Sequence, residues 1–180
     1  MLSSIQEFLG KRSILSALKQ CREKKILNFH TAKIMGIVFM ATDEWDMKIL
    51  GNFIQTVEKN NIQVKVIGWV NEKEIPSKFK ENQTITFLSK KDLNFWGLPN
   101  SENFRNFVTQ KHDILVDFSF IPNTITSLIS AKTNAKMKVS KDMEETRNIF
   151  DFLIKIDNNA KQSTFTEQVT YYLNTINSSK

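Results

Sequence analysis

The sequence has one cysteine, Cys21, so no disulfide can form within the chain and no C-x-x-C redox or metal motif exists. Its two histidines, His30 and His112, lie far apart in sequence, which leaves too few ligands for an ordinary His/Cys metal site. Five glycines and three prolines in 180 residues leave no room for a long flexible linker. No apolar run approaches the roughly 18–20 residues that a membrane-spanning helix needs. The first twenty residues, "MLSSIQEFLGKRSILSALKQ", are interrupted by Gln6, Glu7, Lys11 and Arg12, so they lack the apolar core of a secretion signal. The expectation is a cytoplasmic protein without an integral membrane segment.

Hydrophobic residues make up 41% and charged residues 24%, the balance of a globular chain of one-domain size. The net charge of +6 is unevenly placed. Residues 1–25 hold Lys11, Arg12, Lys19, Arg22, Lys24 and Lys25 against Glu7 and Glu23, a net +4 that leaves +2 for all the rest. A basic N-terminal segment points to an anionic partner.

Residues 2–25 have helical composition, but their apolar positions change phase after Gly10, which predicts a kink there. "KIMGIVFMA" (33–41) and "HDILVDFSF" (112–120) read as strands buried on both faces of a parallel sheet. "IQVKVIGWV" (62–70), "TITFLS" (84–89), "AKMKVS" (135–140) and "IFDFLIKID" (149–157) supply further strands. Helical spacing recurs in 44–61, 101–111, 121–134 and 163–177. The last helix contains Thr164-x-x-Glu167, the pattern of a capping box. This order predicts an α/β, Rossmann-like fold. It has a mostly parallel sheet of about six strands with helices on both faces, preceded by the basic N-terminal helix. The expected division is a helical arm over residues 1–28 and one domain over 29–180. The strands starting near 33 and 113 should sit side by side at the centre, with the switch point between them.

In such sheets ligands bind beyond the carboxyl ends of the strands, at the switch point. That rim would hold Thr42, Asp43, Lys91, Asp92, Trp96, Asp117, Ser119 and Asn123. Plainer roles compete at each position. Asp43 suits a helix cap, Lys91 a solvated loop, and Asp117 the amides of its own loop. "KKDLNFW" (90–96) is expected to pack as a lid over a vestigial site. The familiar phosphate and nucleophile signatures are missing. "MATDEW" has no glycine where G-x-G-x-x-G should fall, and neither G-x-x-x-x-G-K-[ST] nor G-x-S-x-G occurs. An ordinary nucleotide-dependent enzyme is therefore disfavoured, and no cofactor is expected. No aromatic RNP strand or GXXG loop is present either.

"MGIVFMATDEWD", "VKVIGWVNEKEIP", "FLSKKDLNFWGLP" and "HDILVDFSF" with "SLISAKTNAKMKVS" resemble an uncharacterised family of small basic α/β proteins from Bacteroidota, over roughly residues 5–177. A looser resemblance links "HDILVDF", the helix after it and "AKMKVS" to the N-terminal, acceptor-handling half of heptosyltransferase-like glycosyltransferases. It implies a Rossmann-like fold. With "ATDEWD" in place of the glycine-rich loop, it also implies that transferase chemistry has been lost.

The function expected on these grounds is non-catalytic binding of an anionic macromolecule. RNA or the ribosome comes first, an anionic membrane surface or a protein partner after it. Lys11, Arg12, Lys19, Arg22, Lys24 and Lys25 would make the contacts. The alternative is a small-molecule binder or diverged transferase-like domain using the sheet rim.

Overall fold

The computed structural model describes residues 4–42, 47–79, 81–157 and 160–177. Six parallel strands form one sheet: β1 (Ile34–Ala41), β2 (Gln63–Val70), β3 (Ile85–Leu88), β4 (His112–Asp117), β5 (Ala135–Lys141) and β6 (Phe152–Ile154). Their spatial order is β3-β2-β1-β4-β5-β6. The order reverses between β1 and β4, which pair directly from Met35↔Ile114 to Val38↔Asp117. This is the Rossmann-like arrangement, and its switch point lies where the two longest apolar runs meet.

Helices cover both faces, which is why β1 has no polar side. On one face Ile37, Phe39, Val66 and Val116 pack against α2 (Met47–Glu58) and α5 (Gln162–Thr175). Helix α2 presents Leu50, Phe53, Ile54 and Val57, an i, i+3, i+4, i+7 spacing that keeps one stripe inward. On the other face Val38, Ile67, Trp69 and Leu115 pack against α3 (Glu102–Thr109) and α4 (Thr124–Lys132). Side-chain caps set both of these starts. Ser101 accepts from the Phe104 N–H, and Asn123 accepts from the N–H groups of Ile125 and Thr126.

The N-terminal helix, α1 (Ser4–Leu18), lies outside α4 as a further layer. It runs unbroken through Gly10, contrary to the kink expected there. Gly10 is buried against α4, and a Cβ on it would fall 2.4 Å from the Thr124 methyl carbon. The glycine therefore permits close approach of two helices instead of ending one. Ala17 repeats this one heptad on, in a small cluster with Ala131, Ile149 and Phe150.

Two other expectations are corrected. Helix α5 already begins at Gln162, so Thr164 lies inside its first turn and no capping box forms there; Lys161, at the cap position, makes no side-chain cap bond. The strand expected over 149–157 is shorter, because Glu144–Ile149 closes into a 3-10 turn and only Phe152–Ile154 pairs with β5.

The segment from α1 to β1 is bonded to the body. The Lys25 N–H donates to the Lys136 carbonyl (3.1 Å) and the Phe29 N–H to the Leu173 carbonyl (2.9 Å). The Asn28 amide donates to the Ile176 carbonyl (2.9 Å).

Lys138, on β5, is 2% exposed beneath α4. Its Nζ donates to the carbonyls of Ser130 (2.6 Å) and Ala131 (3.0 Å), near the C-terminal end of that helix. Such carbonyls have no partner within the helix and must find one outside it. Burial, chiefly, pushes the Lys138 pKa down to about 7; the nearby Arg22 and Lys24 charges also lower it, and Asp151 opposes them. A neutral amine still has two N–H bonds to donate, so both contacts survive deprotonation.

Since the folded-state pKa lies below that of an unfolded lysine, the unfolded chain binds the extra proton between pH 7 and about 10.4. Stability therefore rises with pH across that window, by at most about 1.4 kcal/mol per pH unit. His112, whose pKa burial lowers, acts below this window, and Lys136, whose pKa Asp113 raises, acts above it. Urea midpoints at pH 7 and pH 9 should show the rise in the wild type and lose it in Lys138→Met. That variant should also cost about 2–3 kcal/mol at pH 7, from two buried carbonyls left without donors.

Candidate functional site

Two surfaces need building: the rim at the carboxyl ends of the strands, and the outward side of α1. At the rim, Thr42 follows β1 and is half-buried, and Asp43 lies outside the described residues. Asp117 closes β4 and is buried with its partners inside the protein. Its Oδ1 accepts from the Ser119 N–H (2.8 Å) and its Oδ2 from the Ser130 hydroxyl (2.7 Å). Burial pushes its pKa up, against the hydrogen bonds from Ser119 and Ser130. Placed so, Asp117 ties the end of β4 to the last turn of α4 and faces no solvent. Of the neighbouring hydroxyls, Ser140, which pairs with Asp117 across the ladder, has no partner among the described residues, and Ser119 on the next loop has none but the Asp117 carboxylate beside it. Asn123 is spent on capping α4.

Lys91, Asp92 and Trp96 follow β3, at the sheet edge. Two strand spacings, roughly 10 Å, separate that edge strand from β1. Asp92 belongs to a capping box: its Oδ2 accepts from the Ser89 N–H (2.8 Å), while the Ser89 hydroxyl accepts from the Lys91 N–H (3.2 Å). Lys91 pairs with Glu74, both largely exposed. The structure thus brings Thr42, Asp117 and Ser119 to the switch point and leaves Lys91, Asp92 and Trp96 apart from them. Among the described residues no three His, Cys, Asp or Glu side chains gather to hold a metal ion.

The lid expected from "KKDLNFW" is not formed. Phe95 is 87% exposed and Trp96 55%, and their rings meet edge-to-face at 5.3 Å without covering the rim. The turn that carries them is tightly held. The Asn94 side-chain oxygen accepts from the N–H groups of Trp96 (2.9 Å) and Leu98 (3.1 Å). Gly97 takes φ +74°, a left-handed conformation that disfavours side chains. It abuts the first turn of α1, where a Cβ would lie 2.9 Å from the Gln6 side chain. The aromatic pair therefore projects beside the N-terminal end of that helix.

The six N-terminal cations fall into two groups. Arg22 turns inward, donating to the carbonyls of Ala135 (2.9 Å) and Lys136 (3.0 Å) and pairing with Asp151. Lys24 pairs with the same carboxylate (3.2 Å), and Arg22 and the Lys138 N–H help to hold that carboxyl below the usual range against the effect of burial. Lys11 pairs with Glu7 one helical turn away, both exposed. The side chains of Arg12 and Lys19 are exposed and that of Lys25 is half-buried, and none of the three makes an ion pair or hydrogen bond with the described residues.

Advancing 100° per residue, Ile5, Phe8, Arg12 and Leu15 of α1, with Lys19 just beyond it, share one side. That side points away from Gly10 and Ala17, hence away from α4. Ile5, Phe8 and Leu15 are 65%, 63% and 57% exposed. The sequence assigned the inward and outward apolar positions to one broken stripe. They are two opposite stripes of one straight helix, and the 5-8-12-15-19 spacing is the signal that separates them.

A Rossmann-like α/β domain carrying an extra helical layer over α4 is the class that the fold defines. Over residues 6–176 the chain matches DUF6913, a family of unknown function, and it belongs to that family. No curated protein and no solved structure matches it.

Asp117 is the rim residue whose role can be read most directly by substitution. Asp117→Ala should cost about 2–3 kcal/mol, because it strips partners from a buried N–H and a buried hydroxyl. Asp117→Asn keeps an acceptor for Ser119 and a donor for a rotated Ser130 hydroxyl, and should cost under about 1 kcal/mol. Urea unfolding of both variants at pH 7 measures the difference.

Proposed function

We propose that the protein is a non-catalytic docking domain that meets an anionic macromolecular partner through α1. The observation that carries this reading is the outward side of that helix. Arg12 and Lys19 lie on it without carboxylate partners, beside three exposed apolar side chains. A helix that merely shielded α4 would need no apolar residues on its outer side. Charge alone also admits RNA or the ribosome, where such cations would sit on phosphates.

Arg22 and Lys24 support the reading indirectly. They hold the segment after α1 against β5 and Asp151, which fixes the helix and the direction in which its outer side points. The contact set is accordingly narrower than the six cations of the segment. Arg12 and Lys19 are its centre, Lys11 flanks it, half-buried Lys25 sits apart beside β5, and Arg22 acts as a structural pin.

A second reading, a small-molecule site at the sheet rim of a diverged transferase-like domain, is favoured by one feature. The buried Ser119 hydroxyl at the switch point has no partner among the described residues other than the Asp117 carboxylate beside it. A thermal-shift screen with sugar nucleotides would test it, and a hit that disappears in Ser119→Ala would support it.

The test of the docking reading is sedimentation of the full-length protein in a source lysate at low and moderate salt. Wild type should travel with large anionic particles at low salt and be released at higher salt. Arg12→Glu/Lys19→Glu should stay at the top, with the slope of log affinity against log salt reduced by about 2. Arg22→Ala should lower the melting temperature while its remaining folded fraction still travels. Wild type and the charge-reversed variant sedimenting alike would overturn the reading.

A further inference from the structure

We infer that the surface met by α1 is an anionic lipid bilayer, entered by Ile5, Phe8 and Leu15 while Arg12 and Lys19 lie at the headgroup phosphates. This rests on the docking reading above and names its partner.

Three observations favour lipid over nucleic acid. The first is the composition of the outward side. Phosphate contacts of RNA are made by cations, and single-stranded bases stack on aromatic rings or guanidinium planes. Ile5 and Leu15 offer neither a charge nor a π-face, yet both are more than half exposed. A helix lying in the interfacial plane of a membrane uses this very mixture: apolar side chains below the headgroups and Lys or Arg level with them.

The second is the absence of acid on that side. Positions 5, 8, 12, 15, 16 and 19 are Ile, Phe, Arg, Leu, Ser and Lys. The nearest carboxylate on α1, Glu7, lies on the flank and is paired with Lys11. That flank borders a groove in which Leu15 meets Lys11, Glu7 and Glu145, so acid reaches only the edge of the outward side.

The third comes from a different element. Phe95 and Trp96 stand exposed on a turn locked by Asn94 and Gly97, and that turn abuts Gln6 in the first turn of α1. Phe8 and Ile5 occupy the same end of the helix. The Trp96 indole favours the membrane–water boundary, where its apolar body and N–H edge are both accommodated, and Phe95 adds apolar surface beside it. Ile5, Phe8, Phe95 and Trp96 are thus all exposed near the N-terminal end of α1, the turn meeting the helix at Gln6 on the side nearer Gly10, and the two cations lie further along the outward side. No helix of the described residues is long and apolar enough to cross a membrane, so the contact is peripheral.

The full chain is to be tested by vesicle flotation with two compositions, phosphatidylcholine alone and phosphatidylcholine with roughly one-third phosphatidylglycerol. Poly-uridylate RNA serves as the competing anionic probe. Wild type should float with the anionic vesicles about tenfold more tightly than with the neutral ones, and salt should weaken it. Phe8→Ser/Leu15→Ser should weaken vesicle binding by about tenfold or more and leave any RNA binding unchanged. Both positions are exposed, so its melting temperature should match the wild type. Phe95→Ser/Trp96→Ser, on a separate element, provides a second variant that should weaken vesicle binding in the same way.

RNA binding that survives both apolar variants, with no vesicle binding, would overturn the lipid assignment and leave the docking reading standing. Vesicle binding untouched by both apolar variants would overturn it too, since charge alone would then suffice. Failure to bind vesicles, RNA and lysate particles alike would end both readings.

Discussion

Helix α4 has water on neither side, and much of the molecule is arranged around that constraint. The sheet lies beneath it and α1 above it, so every residue from Ile125 to Ala131 is buried. A helix in that position must have its polar groups satisfied from within the protein. Asn123 serves its first amides, and Lys138 serves carbonyls near its end. Ser130 bonds Asp117, which fixes the last residue of β4 at the switch point. The three polar contacts hold one helix between two layers and set the geometry of the central rim as they do so.

The same arrangement explains how the basic N-terminal segment is divided. Lys138 reaches α4 from β5, and the Asp151 carboxylate beside it bonds the Lys138 N–H while pairing with Arg22 and Lys24. Two cations that look like partner-binding residues are thereby drawn into the structure. Those with no such neighbour, Arg12 and Lys19, stay outward with Ile5, Phe8 and Leu15. The division follows the position of one carboxylate and owes nothing to composition.

The sheet was legible because its information is local. The apolar runs around Ile37 and Leu115 are long enough to require helices on both faces, and that requirement carries the parallel order and the central switch point. Helix α1 was less legible. Its inner stripe is built from Gly10, Ser13 and Ala17, small residues whose value lies in close approach and not in hydrophobicity, so the pattern looked like a phase slip. Phe95 and Trp96 misled in the opposite way. Large aromatics usually imply burial, but here Asn94 and Gly97 hold the turn so that both project. At the rim, the sequence around Asp117 suits a structural carboxylate as well as a functional one. The partner that decides for structure, Ser130, comes from the next helix, and no local pattern around Asp117 predicts it.

The glycine-mediated seating of α1 on α4 also bears on how the molecule opens. With Gly10 and Ala17 at the close approach, Ile14 and Leu18 are the large side chains of α1 that pack inward. Backbone amides of α4 exchange only when that helix's own hydrogen bonds open, and displacement of the outer helix would make such opening easier without unfolding of the sheet. A ligand that pins the outer helix would slow exchange in the layer beneath it. A partner on the surface would then leave its imprint on backbone groups that it never touches.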